Sequence, residues 1–207
     1  MEFPTLNSKR TFRSGVEHIS RVDPKLRGLV RKIGPIEFKA EGDPFESLVE
    51  SIISQQLNGQ AARSIYSKMR DLLNGELITA EELFNIPISK LRKVGVSPQK
   101  ISYLKDLSSR VIKREIDLEN LSDFEDAHII RILDEVRGIG PWTAQMFLLF
   151  TLGRIDVLPV DDLGIQMGIR RVYSLRKLPD AKRVEKIAKK WHPYCSVASL
   201  YLWRSKS

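Results

Sequence analysis

In PFESLVESIISQQL, the residues Phe45, Leu48, Val49, Ile52 and Ile53 recur at i, i+3, i+4, i+7 and i+8, the stripe of a single helix face. Asn58-Gly59 interrupts it, and Ala62, Ile65, Tyr66, Met69, Leu72 and Leu73 build a second stripe. After the turn-prone GVSP, a third stripe runs through Ile101, Leu104, Leu107, Val111 and Ile112, and a fourth through Ile129, Ile132, Leu133 and Val136. Val184, Ile187, Ala188 and Trp191 form a late one, closed by His192-Pro193. The segment from Trp142 to Phe150 is apolar nearly all round, which predicts a central, buried helix. Alternating strand patterns are essentially absent, and neither an internal repeat nor a low-complexity linker separates the stripes. The pattern predicts an all-α protein with short connections.

The shortest of these connections is also the oddest. Between the helix ending near Val136 and the one opening at Trp142 stand Gly138, Ile139, Gly140 and Pro141. A glycine on each side of Ile139 admits backbone angles that a Cβ forbids and lets another backbone come close. Proline suits the first turn of a helix, where its missing N–H costs nothing. The expected result is a tight turn that pins two helices through Ile139 and aims free N–H groups, with the positive end of a helix dipole, at a site for an anion. A bare helix connection gives the same letters, so the turn alone does not name a partner.

Charge adds to this picture. The 207 residues hold 34 Lys+Arg against 26 Asp+Glu, a net charge of +8 and a pI near 9.6. Such an excess favours polyanions, nucleic acid first, although a well-solvated surface rich in lysine gives the same count. With the glycine turn, it suggests a clamp on the DNA backbone that reads no sequence. Cys195 is the only cysteine, which excludes an intramolecular disulfide, a thiolate zinc site and a four-cysteine iron–sulfur cluster. Its setting in YCSVASLYLW is that of a packed thiol. No stretch approaches the ~20 apolar residues of a membrane span, and the first residues hold no signal-like apolar run. The expectation is an intracellular protein with no membrane partner.

LDEVRGIGPWTAQMFLLFTLG, followed by DVLPVDDLGIQMGIRRVY, resembles the hairpin, Gly/Pro-rich loop and aspartate signature of the helix-hairpin-helix DNA glycosylase superfamily. SLVESIISQQLNGQAARSIY and GIGPWTA are most similar to its 3-methyladenine DNA glycosylase II branch. The resemblance covers Pro44 to Tyr173, with three motifs in the right order. It implies a two-lobed helical unit over 1–207: a core lobe of about 44–160, a second lobe from the N-terminal segment and 161–207, and a helix-hairpin-helix at about 125–153. Larger bacterial members carry an N-terminal β-domain, for which this short, helical N-terminus leaves little room. The implied partner is double-stranded DNA containing damaged bases, bound by a monomer, in the cytoplasm of a prokaryote or the nucleus of a eukaryote.

The resemblance also implies roles. The family's catalytic carboxylate follows the loop proline as Pro-x-Asp, which maps to Asp161, with Asp162 as the fallback. Read from the residues alone, PVDDLGIQMGI is a proline loop, an N-cap aspartate and a helix, so Asp161 could serve as a cap and nothing more. The chemistry needs an anion near C1′ of a flipped nucleotide, where positive charge develops as the N-glycosidic bond breaks. Glycosylases that also nick the strand carry a lysine two residues after the second hairpin glycine. Here that position is Trp142, and without an amine no Schiff base forms there. Trp142 is then expected to line the base pocket, where an indole face attracts cationic alkylated purines, or else to be a core residue. Gln56 and Leu57 are the candidates for the wedge that fills the gap left by the flipped base, with Gln55 supporting the turn or the opposite strand. Gly138, Ile139 and Gly140 contact the DNA backbone. No cofactor is required, while a structural Na⁺ or K⁺ at the hairpin would be held by the backbone carbonyls of Asp134, Val136 and Ile139. The implied activity is monofunctional hydrolysis that releases alkylated purines of the 3-methyladenine and 7-methylguanine type. A glycosylase for deaminated or oxidised bases, or a non-catalytic DNA-binding module, are the alternatives.

Overall fold

A computed structural model describes residues 3–73 and 77–205, and among them the regular elements are all helical. They are α1 (Lys9–Val22), α2 (Pro24–Ile33), α3 (Pro44–Ser54), α4 (Gly59–Leu72), α5 (Ala80–Asn85), α6 (Ile88–Lys93), α7 (Pro98–Ile112), α8 (Asp126–Asp134), α9 (Pro141–Phe150), α10 (Leu163–Val172), α11 (Ala181–Ala188) and α12 (Cys195–Arg204). Extended pairing among the described residues is an isolated bridge between Thr5 and Arg154. Polar side chains at the helix starts explain the punctuation. Asp43, Asn58 and Ser97 each accept the N–H of the residue three positions on, at 2.9, 2.8 and 3.3 Å, and proline occupies the first turn of α3 and α7.

The chain forms two compact units. The first is Gly42–Phe147, and the second joins the chain up to Glu41 to that from Leu148 onward. The division therefore falls inside α9 and not at residue 160. The reason is local: Arg154 donates its N–H to Leu148 O at 2.9 Å, while Arg154 O and Ile155 O accept bonds from Ser196 at 2.7 and 3.1 Å. These bonds tie the 148–157 segment to α12.

The first unit buries the stripes the periodicity marked: Phe45, Leu48, Val49, Ile52 and Ile53 of α3, Leu104 and Leu107 of α7, Ile129 and Leu133 of α8. Leu72 and Ile112 lie more than a third exposed, although Leu73, the last member of its stripe, is buried. Helix α9 buries Thr143, Ala144, Phe147, Leu148 and Leu149, but not its ends: Trp142 and Phe150 are 48% and 42% exposed. The expected central helix is thus buried in its middle and presents an aromatic ring at each terminus.

In the second unit α12 packs on α1, α2 and α10. Its buried polar hub is Asp23, which caps α2 through Lys25 N at 2.9 Å. It also accepts Trp191 Nε1–H at 2.9 Å and the Tyr173 hydroxyl, and it pairs with Lys190 at 3.1 Å. Burial raises the Asp23 pKa, but the bonds from Tyr173, Trp191 and Lys190 outweigh it and hold the carboxyl below its ordinary value. This hub corrects one reading of the sequence. Helix α11 stops at Ala188, and Trp191 lies in the turn beyond it, buried because its indole N–H serves Asp23. At the start of α12, Asp156 accepts Cys195 N–H at 3.1 Å and the His192 ring lies 2.7 Å from its other oxygen. The thiol is wholly buried, and burial followed by the nearby Asp156 pushes its pKa far up.

Candidate functional site

The first unit contains the hairpin and the turn that follows α3. Gly138 has φ +81°, a left-handed conformation that penalises a Cβ. A Cβ there would lie 2.1 Å from Cδ2 of Tyr103, whose ring covers this glycine. Gly140 differs on both counts. Its backbone is not left-handed, and a Cβ built on it meets nothing within 4 Å. The first glycine is therefore demanded by the fold, whereas the second leaves open space beside the N-terminus of α9. Ile139 is buried, with its N–H bonded to Val136 O at 3.0 Å, as expected for the pin of the turn.

The turn after α3 is closed by Leu57 N–H to Ser54 O at 3.1 Å. Gln55 at φ −52°, ψ 130° and Gln56 at φ +57° give it the dihedral signature of a type II turn, with glutamine where glycine is usual. Gln56 and Leu57 are exposed at its tip. Gln55 is instead turned to the hairpin, where its Nε2 donates to Gly138 O at 2.6 Å.

The second unit places the aspartates. Asp162 N–H donates to Pro159 O at 3.1 Å, so Val160 and Asp161 are the central residues of a turn and Asp162 arrives at the helix start. Asp162, not Asp161, is the N-cap of α10. Its Oδ1 accepts Ile165 N–H at 2.8 Å and the indole Nε1–H of Trp203 at 2.8 Å. Asp161 is exposed, and the cap expected at that position falls one residue along. Trp203 stacks on Phe150 with centroids 5.7 Å apart, and the aromatic run continues to Phe38 at 6.1 Å from Phe150. From Phe38 it reaches Phe12, 6.2 Å further on, beside an apolar groove of about 1050 Å³. Phe38, Phe150 and Trp203 were not singled out from the sequence. Phe150 and Trp203 stand in apolar segments that read as core, and their exposure, with Trp203 bonded to Asp162, sets them apart.

Among the described residues, Asp156, His192 and Cys195 bring three ligand-type atoms within 4.8 Å of one another. Those atoms already pair with each other, and the buried thiol resists ionisation, so the group serves as a clasp at the start of α12.

The arrangement of α8, the glycine turn, α9, a proline loop and a capping aspartate matches a known family model. HhH-GPD superfamily base excision DNA repair protein is the description that fits residues 49–193. The chain belongs to this superfamily. Within it, the chain is 34% identical to DNA-3-methyladenine glycosylase 1 of Schizosaccharomyces pombe, over 91% of this chain and 85% of the relative. Two solved structures are similar throughout. The S. pombe 3-methyladenine DNA glycosylase in complex with abasic DNA superposes with a TM-score of 0.84 at 32% identity, covering 92% of this chain and 95% of that one. A DNA-3-methyladenine glycosidase from Bacillus halodurans gives 0.86 at 35% identity, with 100% and 94% covered.

Proposed function

We propose that this HhH-GPD protein is a monofunctional DNA glycosylase that hydrolyses the N-glycosidic bond of alkylated purines in double-stranded DNA, acting as a monomer. Asp162 carries the reading. Its Oδ1 accepts hydrogen bonds from the first turn of α10 and from Trp203, which holds the carboxylate in place before any substrate arrives. A preorganised anion beside C1′ stabilises the oxocarbenium character of the transition state and orients the attacking water. The Phe150–Trp203 stack next to it provides a face for the flipped base, and an electron-poor alkylated purine gains most from such a face. Trp142, half exposed at the mouth of α9, is assigned to base recognition, and it stands where a strand-nicking enzyme would need an amine.

Gly138, Ile139 and Gly140 grip the DNA backbone. Gly140 supports this most directly, since the fold itself does not require a glycine there and the space beside it admits a phosphate. Leu57 is the wedge, an exposed apolar side chain at the tip of a turn, of the kind that fills a vacated base stack. The carbonyls of Asp134, Val136 and Ile139 suit Na⁺ or K⁺ in type. Val136 O already accepts Ile139 N–H, which leaves its second lone pair for an ion. Bound there, the ion would add positive charge at the phosphate grip. The names of the S. pombe and B. halodurans proteins support alkylated adenine as the substrate class.

The test is base release from methylated duplex DNA, with strand nicking scored separately. The expected outcome is free 3-methyladenine or 7-methylguanine, strand breaks only after alkali, and no protein–DNA adduct on borohydride treatment. Release confined to hypoxanthine or 8-oxoguanine would move the substrate class to deaminated or oxidised bases. Tight binding without release of any base would leave a DNA-binding module.

A further inference from the structure

Helix α7 contributes no residue to the chemistry, yet its polar face reaches both loops assigned to DNA. Lys100 Nζ donates to Ile53 O and to Gln55 O, each at 2.7 Å, and so caps the C-terminus of α3 where helical carbonyls lack partners. One turn along, the Tyr103 ring lies against Gly138, and after another turn Asp106 accepts the N–H of Arg137 at 3.0 Å. Gln55 closes the loop by donating to Gly138 O. Three side chains at i, i+3 and i+6 therefore brace the wedge turn and the hairpin, and a fourth bonds one to the other. Gln56, the non-glycine residue at φ +57°, sits within this brace, and a strained conformation persists only where its surroundings over-determine it. Burial lowers the Lys100 pKa, as expected for an ammonium drawn in to serve carbonyls and not water.

We infer that Lys100 is a positioning residue for base flipping: by holding the α3 carbonyls while Gln55 holds Gly138, it makes the wedge turn and the phosphate grip one rigid unit. Leu57 then enters the stack at a fixed offset from the gripped backbone, with little ordering left to complete on the DNA. The inference rests on the DNA-repair reading above but not on the identity of the excised base, so its test uses no excision.

The probe is a duplex with a tetrahydrofuran abasic site opposite 2-aminopurine, whose fluorescence rises when the wedge unstacks it. Variants are Lys100→Met, Lys100→Arg and Gln55→Ala, each checked for a native melting transition. Lys100→Met is expected to lose most of the fluorescence rise and to bind the abasic duplex up to about a hundredfold more weakly, while its affinity for undamaged duplex changes little. Lys100→Arg, which keeps a charged donor, should recover part of the rise. Combining Lys100→Met with Gln55→Ala should add little to either single change, because both act through one turn. If Lys100→Met proves unfolded, Gln55→Ala alone carries the test with the same expected selective loss. Wild-type fluorescence in folded Lys100→Met, or equal weakening on abasic and undamaged duplex, would overturn the inference. Absence of the rise in the wild-type protein would instead remove the wedge reading itself.

Discussion

At the residue scale, two neighbouring carboxylates compete for one role. Asp162→Asn should lower base release by about 10²-fold or more, the range for losing one transition-state stabiliser, while binding to abasic DNA survives. Asp161→Asn should turn over nearly normally, since its side chain lies exposed in the turn and makes neither cap nor indole bond. Single-turnover release by the two variants decides the assignment, and the reverse result would return the role to Asp161. The sequence narrowed the choice to this pair and no further. Counting from a proline locates the loop, but which aspartate caps depends on the Asp162 N–H to Pro159 O bond that closes it. Trp142 drew notice in the sequence because a residue at a family-defined position is read by what it lacks, and the structure leaves it half exposed at the start of α9. Lys100, Tyr103 and Asp106 drew no such notice, since polar residues on an amphipathic helix look solvated until the packing shows what they touch.

At the scale of elements, the helical stripes were legible because burial follows a local period, and the errors lie at helix ends, where tertiary contacts take over. Trp191 continues the α11 stripe in sequence but is buried by the Asp23 hub instead. The hairpin makes two separable predictions. Gly138→Ala pushes a methyl group into Tyr103 at a left-handed position, so it should destabilise the fold by about 2–3 kcal/mol. Shortening the neighbour with Tyr103→Ala in the same chain should return part of the loss in chemical denaturation. Gly140→Asp should leave the melting transition near its wild-type value, because its side chain has open space. It should nevertheless weaken binding to damaged and undamaged duplex alike, since phosphate contacts carry no sequence information. Loss restricted to damaged DNA would place Gly140 in base recognition.

For the whole molecule, stability and chemistry meet in two groups that titrate unusually. Asp23 is held below its ordinary pKa when folded, so its contribution is fully present above the unfolded-state value of about 4 and is lost as pH falls through the folded-state value. Melting temperature should therefore drop on acidification below about pH 4. Asp23→Asn should cost about 3 kcal/mol at neutral pH and flatten that acid limb; an unchanged limb would remove Asp23 from the account. The other group is Cys195. Alkylating agents methylate DNA because its bases are nucleophiles, and a thiolate reacts with them faster still. A protein that repairs such damage works amid the same electrophiles, and its one thiol is buried at the start of α12 and kept protonated. Treatment of the native protein with iodoacetamide or a methylating agent should leave Cys195 unmodified by mass spectrometry, with full modification after unfolding in guanidinium. Reaction of the native thiol at the rate of a free one would contradict this. The clasp that starts a helix thus also leaves the repair protein a poor target for the chemistry it answers.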